Sequence, residues 1–127
     1  MRDGYRILVV EDNELNLKLV RDVLTYAGYD VVEARTGEQG VALATERPPD
    51  LVLMDLQLPG IDGAEALRQM RSSPRTQTVP VVAVTAYAMK EDRERAFSSG
   101  FDGYLDKPIS ARELPAQVHR FLEEGLR

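Results

Sequence analysis

The chain contains no cysteine and only one histidine, His119. Disulfides, thiol chemistry and zinc sites of the cysteine kind are therefore excluded, and one histidine cannot build a histidine-rich metal site. Long hydrophobic runs are also missing. The N-terminal stretch MRDGYRILVVEDNE reaches carboxylates after four strongly apolar residues, too few for a signal peptide or a membrane span. A cytoplasmic protein without membrane contact is the expectation. No basic run is present and the formal net charge is −5, which argues against direct nucleic-acid binding, since that relies on concentrated Lys and Arg. Linkers, low-complexity stretches and internal repeats are likewise not seen. What is there is ordinary for a globular chain: 127 residues, 43% hydrophobic and 29% charged, enough for one domain over residues 1–127 with a real core.

Short apolar runs alternate with segments of helical period. The runs are Ile7, Leu8, Val9, Val10; Val31, Val32; Leu51, Val52, Leu53, Met54; Val81, Val82, Ala83, Val84; and Tyr104, Leu105. The first, third and fourth are apolar at every position, as strands buried on both faces of a parallel sheet are. The second and fifth are short, and edge or near-edge positions are expected for them.

Between Asn13 and Gly28 the residues Leu15, Leu19, Val20, Val23, Leu24 and Ala27 form an apolar stripe at helical spacing, with Asn13 as N-cap and Gly28 as stop. Thr36 with Gln39, and Ser110 with Glu113, make capping-box patterns opening the second and fifth helices. The third helix is expected over 63–71 and the fourth over 90–98, closed by Gly100. The fourth is mostly charged, with Ala96 and Phe97 its main apolar residues. The fifth should bury Leu114, Val118, Phe121 and Leu122; Pro115 requires a kink or a later start. Five strands alternating with five helices imply an α/β fold, a doubly wound parallel sheet with helices on both faces.

In such folds ligands bind at the carboxyl ends of the strands. Glu11 and Asp12 follow the first run, Asp55 ends the third, Thr85 ends the fourth and Lys107 lies two residues beyond the fifth. Three acids, a hydroxyl and a lysine thus converge on one rim. At a separation of about 4 Å and an effective dielectric constant of about 20, each carboxylate pair costs about 4 kcal/mol. Lys107 offsets part of this, and a divalent ion answers the rest better. A few carboxylates, a backbone carbonyl and water suit Mg²⁺, which readily shares ligands with phosphates. Asp12 and Asp55 are assigned as direct ligands, Glu11 as direct or through water, and the Gln57 carbonyl as a further candidate.

Phosphoryl transfer to a carboxylate needs an exposed nucleophile, neutralised phosphoryl oxygens and an open in-line approach. Asp55 is the best nucleophile, because it ends the central run beside the loop Gln57, Leu58, Pro59, Gly60. Lys107 and Mg²⁺ would hold two phosphoryl oxygens, the Thr85 hydroxyl a third, and small Ala86 leaves the approach open.

Four motifs in order, VVEDN, LVLMDLQLPGIDG, VVAVTAYAM and GYLDKPI, resemble the receiver domains of two-component response regulators over about residues 6–124. The EDNELNLKLV, QLP and TAYAMKEDRERA segments look most like DivK-type single-domain regulators and the receivers of hybrid histidine kinases. The resemblance implies the flavodoxin-like (CheY-like) strand order 2-1-3-4-5. It implies a phosphohistidine donor on a sensor histidine kinase or histidine phosphotransfer protein, Mg²⁺ dependence and slow self-dephosphorylation. It further implies that Thr85 and Tyr104 move together on phosphorylation and that the Lys107–Pro108 bond is cis. The fourth helix has a thin apolar face and should shift easily, so the face made by helix 4, strand 5 and helix 5 is expected to be read by a downstream protein target. Pro115 and the second glycine of PGIDG, Gly63, depart from the family pattern and are expected not to touch the phosphorylation set.

Singly, each residue has an ordinary explanation. Glu11 and Asp12 suit a helix N-terminus, Asp55 a turn, Thr85 a strand end, Lys107 solvent and Tyr104 a core. His119 and the charged run 90–95 read as surface. The explanations fail jointly, because the residues share one sheet edge. A phosphatase of the haloacid dehalogenase type wants a second acid two residues after the nucleophile, where Gln57 stands. A flavodoxin-like cofactor binder wants a Ser/Thr/Gly loop where EDNEL would repel phosphate. A degenerate receiver, acting as a phosphorylation-independent interaction module, should lack an acid or the lysine. The expectation is a phosphoacceptor of a phosphorelay, without enzyme chemistry on outside substrates. The chain ends about where the fold should, so no output domain is expected, and stand-alone regulator and excised receiver both stay open.

Overall fold

Strand and helix alternate without exception in the computed structural model, which describes residues 4–86 and 90–123. In chain order the elements are β1 (Arg6–Val10), α1 (Glu14–Tyr26), β2 (Asp30–Ala34), α2 (Gly37–Glu46), β3 (Leu51–Asp55), α3 (Gly63–Arg71), β4 (Val81–Thr85), α4 (Lys90–Ser98), β5 (Gly103–Asp106) and α5 (Leu114–Glu123). The strands form one parallel sheet in the order β2-β1-β3-β4-β5, the expected flavodoxin-like arrangement with the two short runs at its edges. Glu124, the expected end of the core, lies outside the described residues, as does the segment 87–89 of the third motif.

Successive strand residues face opposite sides of the sheet, and the core divides accordingly. Leu8, Val10, Val52, Met54, Val81 and Ala83 pack on the side covered by α2, α3 and α4. Ile7, Val9, Leu51, Leu53, Val82 and Val84 pack against α1 and α5. Strands β3 and β4 are buried at every position, which is why their sequences carry no polar alternation before the terminal Asp55 and Thr85. Each fully buried Leu or Val contributes roughly 1.5–3 kcal/mol relative to exposure. Helix α4 adds little to this, since Ala96 is its one buried residue.

One helix expectation needs correction. The inward stripe of α1 is Leu17, Val20 and Leu24, whereas Leu15 is 78% exposed. Residues two apart on a helix point about 200° from one another, so a helix that buries Leu17 must expose Leu15. In α5 the later start is the alternative found: the Ser110 hydroxyl accepts from the Glu113 amide at 3.2 Å, its carbonyl accepts from the Leu114 amide at 2.9 Å, and the regular helix begins at Leu114. The later start puts Pro115 in the first turn, where a missing N–H costs nothing. Leu114 and Val118 are buried there, while Phe121 and Leu122 are half-buried.

The other start and stop signals act as expected. Asn13 accepts from the Asn16 amide at 3.0 Å, and Thr36 from the Gln39 amide at 3.0 Å. The Gln39 side chain reaches the amide of Arg35 at 2.8 Å, one residue before the cap. Gly28 has φ +103°, a left-handed conformation that lets the Tyr29 amide return to the Leu24 carbonyl and end α1.

Candidate functional site

Strand register brings the candidate residues together. Val10 pairs with Met54, Asp55 with Val84 and Thr85 with Asp106, so the carboxyl ends of β1, β3, β4 and β5 finish at one level. Glu11 and Asp12 follow β1, and the Glu11 amide donates to the Ala34 carbonyl at 2.9 Å, tying that turn to the end of β2. Asp55 closes β3 and, against the exposed nucleophile expected, is only 3% exposed, because both flanking strands run level with it; Thr85 is buried at the end of β4, and Lys107 follows β5. The Lys107 amide donates to the Thr85 carbonyl at 2.8 Å, which fixes the lysine's backbone to the neighbouring strand. The Lys107–Pro108 peptide bond is cis.

The Lys107 ammonium bridges two acids, with Nζ 3.0 Å from Asp55 Oδ2 and 3.1 Å from Glu11 Oε1. The remaining oxygens of those acids are met by backbone amides two residues on. Gln57 N–H donates to Asp55 Oδ1 at 2.9 Å, and Asn13 N–H donates to Glu11 Oε2 at 3.1 Å. The exposed Asp12 completes the group, and one oxygen each of Glu11, Asp12 and Asp55 lies within 4.8 Å of the others. Three carboxylates face one lysine.

Burial and the neighbouring charges both act on Glu11 and Lys107. Burial, above all, raises the pKa of Glu11; the Asn13 amide opposes this, Asp55 adds to it, and Lys107 opposes it. Burial alone would lower Lys107, yet its hydrogen bonds to Asp55 and Glu11 outweigh that and hold its pKa above the ordinary lysine value. The donor set of hard oxygens with an excess of negative charge fits Mg²⁺.

Tyr104 is half-buried on β5, with the Arg93 guanidinium of α4 5.7 Å above its ring centre. Burial, then Asp106 and Asp92, raise its phenol pKa, against an opposing effect of Arg93. Ala86 and His119 are both exposed.

Sequence reasoning overlooked the two amides that orient the buried acids. Their signal was available, since an acid that accepts from the residue two positions on is a common turn device. It also misjudged Gly63. A β-carbon there would sit 2.7 Å from the Asp55 carbonyl oxygen and 2.9 Å from the Leu56 α-carbon, so this glycine touches the backbone of the candidate phosphoacceptor. Gly63→Ala should cost roughly 1–3 kcal/mol, because the Asp55–Leu56 backbone must yield. Urea unfolding checks this; an unchanged midpoint would mean that α3 shifts freely.

Doubly wound sheet, acid triad and facing lysine together define a class. Residues 7–119 match the response regulator receiver domain, and the chain belongs to that family, a phosphoacceptor signalling module that works with a histidine kinase. It is 44% identical over 117 residues to the polar-differentiation response regulator DivK of Brucella ovis, covering 92% of this chain and 89% of that protein. Among solved structures it resembles the receiver domain of the Pseudomonas aeruginosa sensor histidine kinase PA1611, which has a magnesium ion coordinated in its active-site cleft. The match has 37% identity and a TM-score of 0.85, over 94% of this chain and 98% of that one. The chemotaxis response regulator CheY4 of Vibrio cholerae matches with a TM-score of 0.88 at 25% identity, over 94% of this chain and 99% of that one. Among the described residues no helix is long and apolar enough to cross a membrane.

Proposed function

We propose that residues 1–127 act as one receiver domain in a phosphorelay, with Asp55 as the phosphoacceptor. The observation that carries this reading is the buried Asp55 carboxylate, oriented by the Gln57 amide and bridged by Lys107 to Glu11. A carboxylate oxygen of Asp55 bonds to phosphorus as the bond to a donor imidazole nitrogen breaks, and the imidazole leaves with a proton taken from solvent. Lys107, already 3.0 Å from Asp55, then serves a phosphoryl oxygen, and the Thr85 hydroxyl serves another. Glu11, Asp12 and Asp55, with the Gln57 carbonyl, would hold Mg²⁺, whose charge offsets that of the phosphoryl oxygens. The donor is a sensor histidine kinase or histidine phosphotransfer protein in a cytoplasmic pathway.

Helix α4, β5 and α5 form the readout in this reading. With Ala96 as its one buried residue, α4 is weakly packed and cheaply moved. Thr85 shifts toward the phosphoryl group, Tyr104 follows it inward, and the outer face changes for a downstream protein.

The test is intact mass after incubation with acetyl phosphate, with Mg²⁺, with chelator and with Asp55→Asn. One added phosphoryl group is expected, dependent on Mg²⁺ and lost in the variant. Hydrogen exchange of the same sample should change along α4 and β5. No mass gain in the folded protein would favour a phosphorylation-independent interaction module instead.

A further inference from the structure

The first turn of α2 and the loop 57–62 after β3 meet through two reciprocal close approaches. Gly60 has φ +75°, and a β-carbon on it would fall 2.8 Å from Glu38 Oε2 and 3.1 Å from Oε1, so the carboxylate lies against the glycine's bare face. One residue on, the Ile61 amide donates to Glu38 Oε2 at 3.3 Å. In return a β-carbon on Gly37 would fall 2.7 Å from Ile61 Cγ1 and 2.9 Å from the Ile61 carbonyl oxygen. A left-handed glycine on one side and a side-chain-free helix start on the other are what this approach requires.

The same loop is held at its inner end by the site. The Gln57 amide orients Asp55 at 2.9 Å, and Gly63 closes the loop against the Asp55 backbone, its amide donating to the Leu56 carbonyl at 3.2 Å. Between Gln57 and Ile61 lie only Leu58, Pro59 and Gly60, and between Ile61 and Gly63 only Asp62. A displacement of the outer end therefore has few torsions in which to be absorbed before it reaches Gln57 and Asp55.

We propose that Glu38 is a positioning residue for the phosphoacceptor site: by accepting the Ile61 amide and closing over Gly60, it sets the loop that carries Gln57. The inference rests on the proposed function and adds to it a contact between chain segments remote from the acid triad. Glu38 is not one of the acids gathered at the rim, which are Glu11, Asp12 and Asp55. Groups that orient ligands from outside a metal site commonly change affinity or activity by about 10–100-fold, and for an exposed clamp the lower end, about tenfold, is expected.

The test compares wild type, Glu38→Ala and Glu38→Gln for Mg²⁺ affinity by calorimetry, phosphorylation rate with acetyl phosphate at saturating Mg²⁺, and amide exchange at Ile61. In Glu38→Ala, Mg²⁺ affinity and rate should fall about tenfold while the Ile61 amide exchanges faster. Glu38→Gln keeps an acceptor oxygen and should restore all three to within about twofold, because the clamp is a hydrogen bond and a shape rather than a charge. Unchanged Mg²⁺ affinity in Glu38→Ala, with or without lower thermal stability, overturns the inference, as a merely structural contact would behave so. Equal weakening in both variants also overturns it, since the charge would then act through space. If wild type itself neither binds Mg²⁺ nor gains a phosphoryl group, the proposed function falls and this inference with it. Failure confined to the comparison of variants sinks the inference alone.

Discussion

Lys107→Ala should destabilise the protein by about 3–4 kcal/mol at neutral pH without divalent cations, and slow phosphorylation about a hundredfold or more. The ammonium sits 3.0 Å from Asp55 and 3.1 Å from Glu11, and its side chain is 19% exposed, so solvent screens it only in part. At an effective dielectric constant of about 20 each contact is worth about 5 kcal/mol. Removing the lysine also removes its own desolvation cost of several kcal/mol, which brings the sum to the range seen when one partner of a buried pair is deleted. Three carboxylates would then face one another unopposed.

The loss should depend on pH, and its sign follows from Glu11. Unfolded, Glu11 titrates near 4.5; folded, it holds its proton to higher pH. Between the two values the folded state binds more protons, so this group's contribution to stability falls as pH rises and returns on acidification. Lys107 is one of the influences that lower the Glu11 pKa. In the variant that influence is gone, Glu11 rises further, and the window extends upward. Urea unfolding at about pH 5 and about pH 7.5 should therefore show a smaller penalty at the lower pH. Added Mg²⁺ should recover much of the loss at the higher pH, by mass action on the folded state. An equal penalty at both pH values would mean that Lys107 acts through packing.

The sheet was legible because β1, β3 and β4 are covered on both faces, and Val81, Val82, Ala83 and Val84 can hardly be anything but a buried strand. The site was legible for the same reason. In runs this apolar, the polar residue that breaks each one, Asp55 or Thr85, marks the rim where the strand emerges. Helix α1 was harder, since it carries two apolar stripes at helical spacing. Leu15, Leu19 and Val23 make one, and Leu17, Val20 and Leu24 the other. Local spacing supports both, and only packing against Ile7, Val9 and Leu53 selects the second. Contacts between distant segments left no local trace at all. Glu38 meets Ile61 across 23 residues, and Gly63 meets Asp55 by closing a loop. A glycine in a turn-forming motif reads as a turn whether or not the backbone of a candidate site residue lies behind it. The late start of α5 was partly visible, because Pro115 excluded a helix running unbroken from Ser110.

Asp55→Asn should abolish phosphorylation and yet make the protein more stable, by about 1–3 kcal/mol in the absence of divalent cations. The first effect is chemical, since a carboxamide is a poor nucleophile toward phosphorus. The second follows from magnitudes. Asp55 gains about 5 kcal/mol from Lys107 at 3.0 Å. It loses at least about 3.5 kcal/mol to each of Glu11 and Asp12, with oxygens within 4.8 Å, so repulsion exceeds attraction by about 2 kcal/mol. Burial to 3% exposure adds a desolvation cost that the amide largely avoids. Asparagine keeps an oxygen for the Gln57 amide, which meets Asp55 Oδ1 at 2.9 Å, and Lys107 keeps Glu11 at 3.1 Å. On the proposed function the native site would give up stability to hold its phosphoacceptor among acids, and Mg²⁺ should reverse the order of the two proteins by binding the wild type more tightly. Thermal unfolding with chelator and then with Mg²⁺ reads both halves. A less stable Asp55→Asn protein in chelator would show that Lys107 alone balances the cluster. A phosphoryl group found on the variant would move the acceptor to another carboxylate, with exposed Asp12 the first to examine.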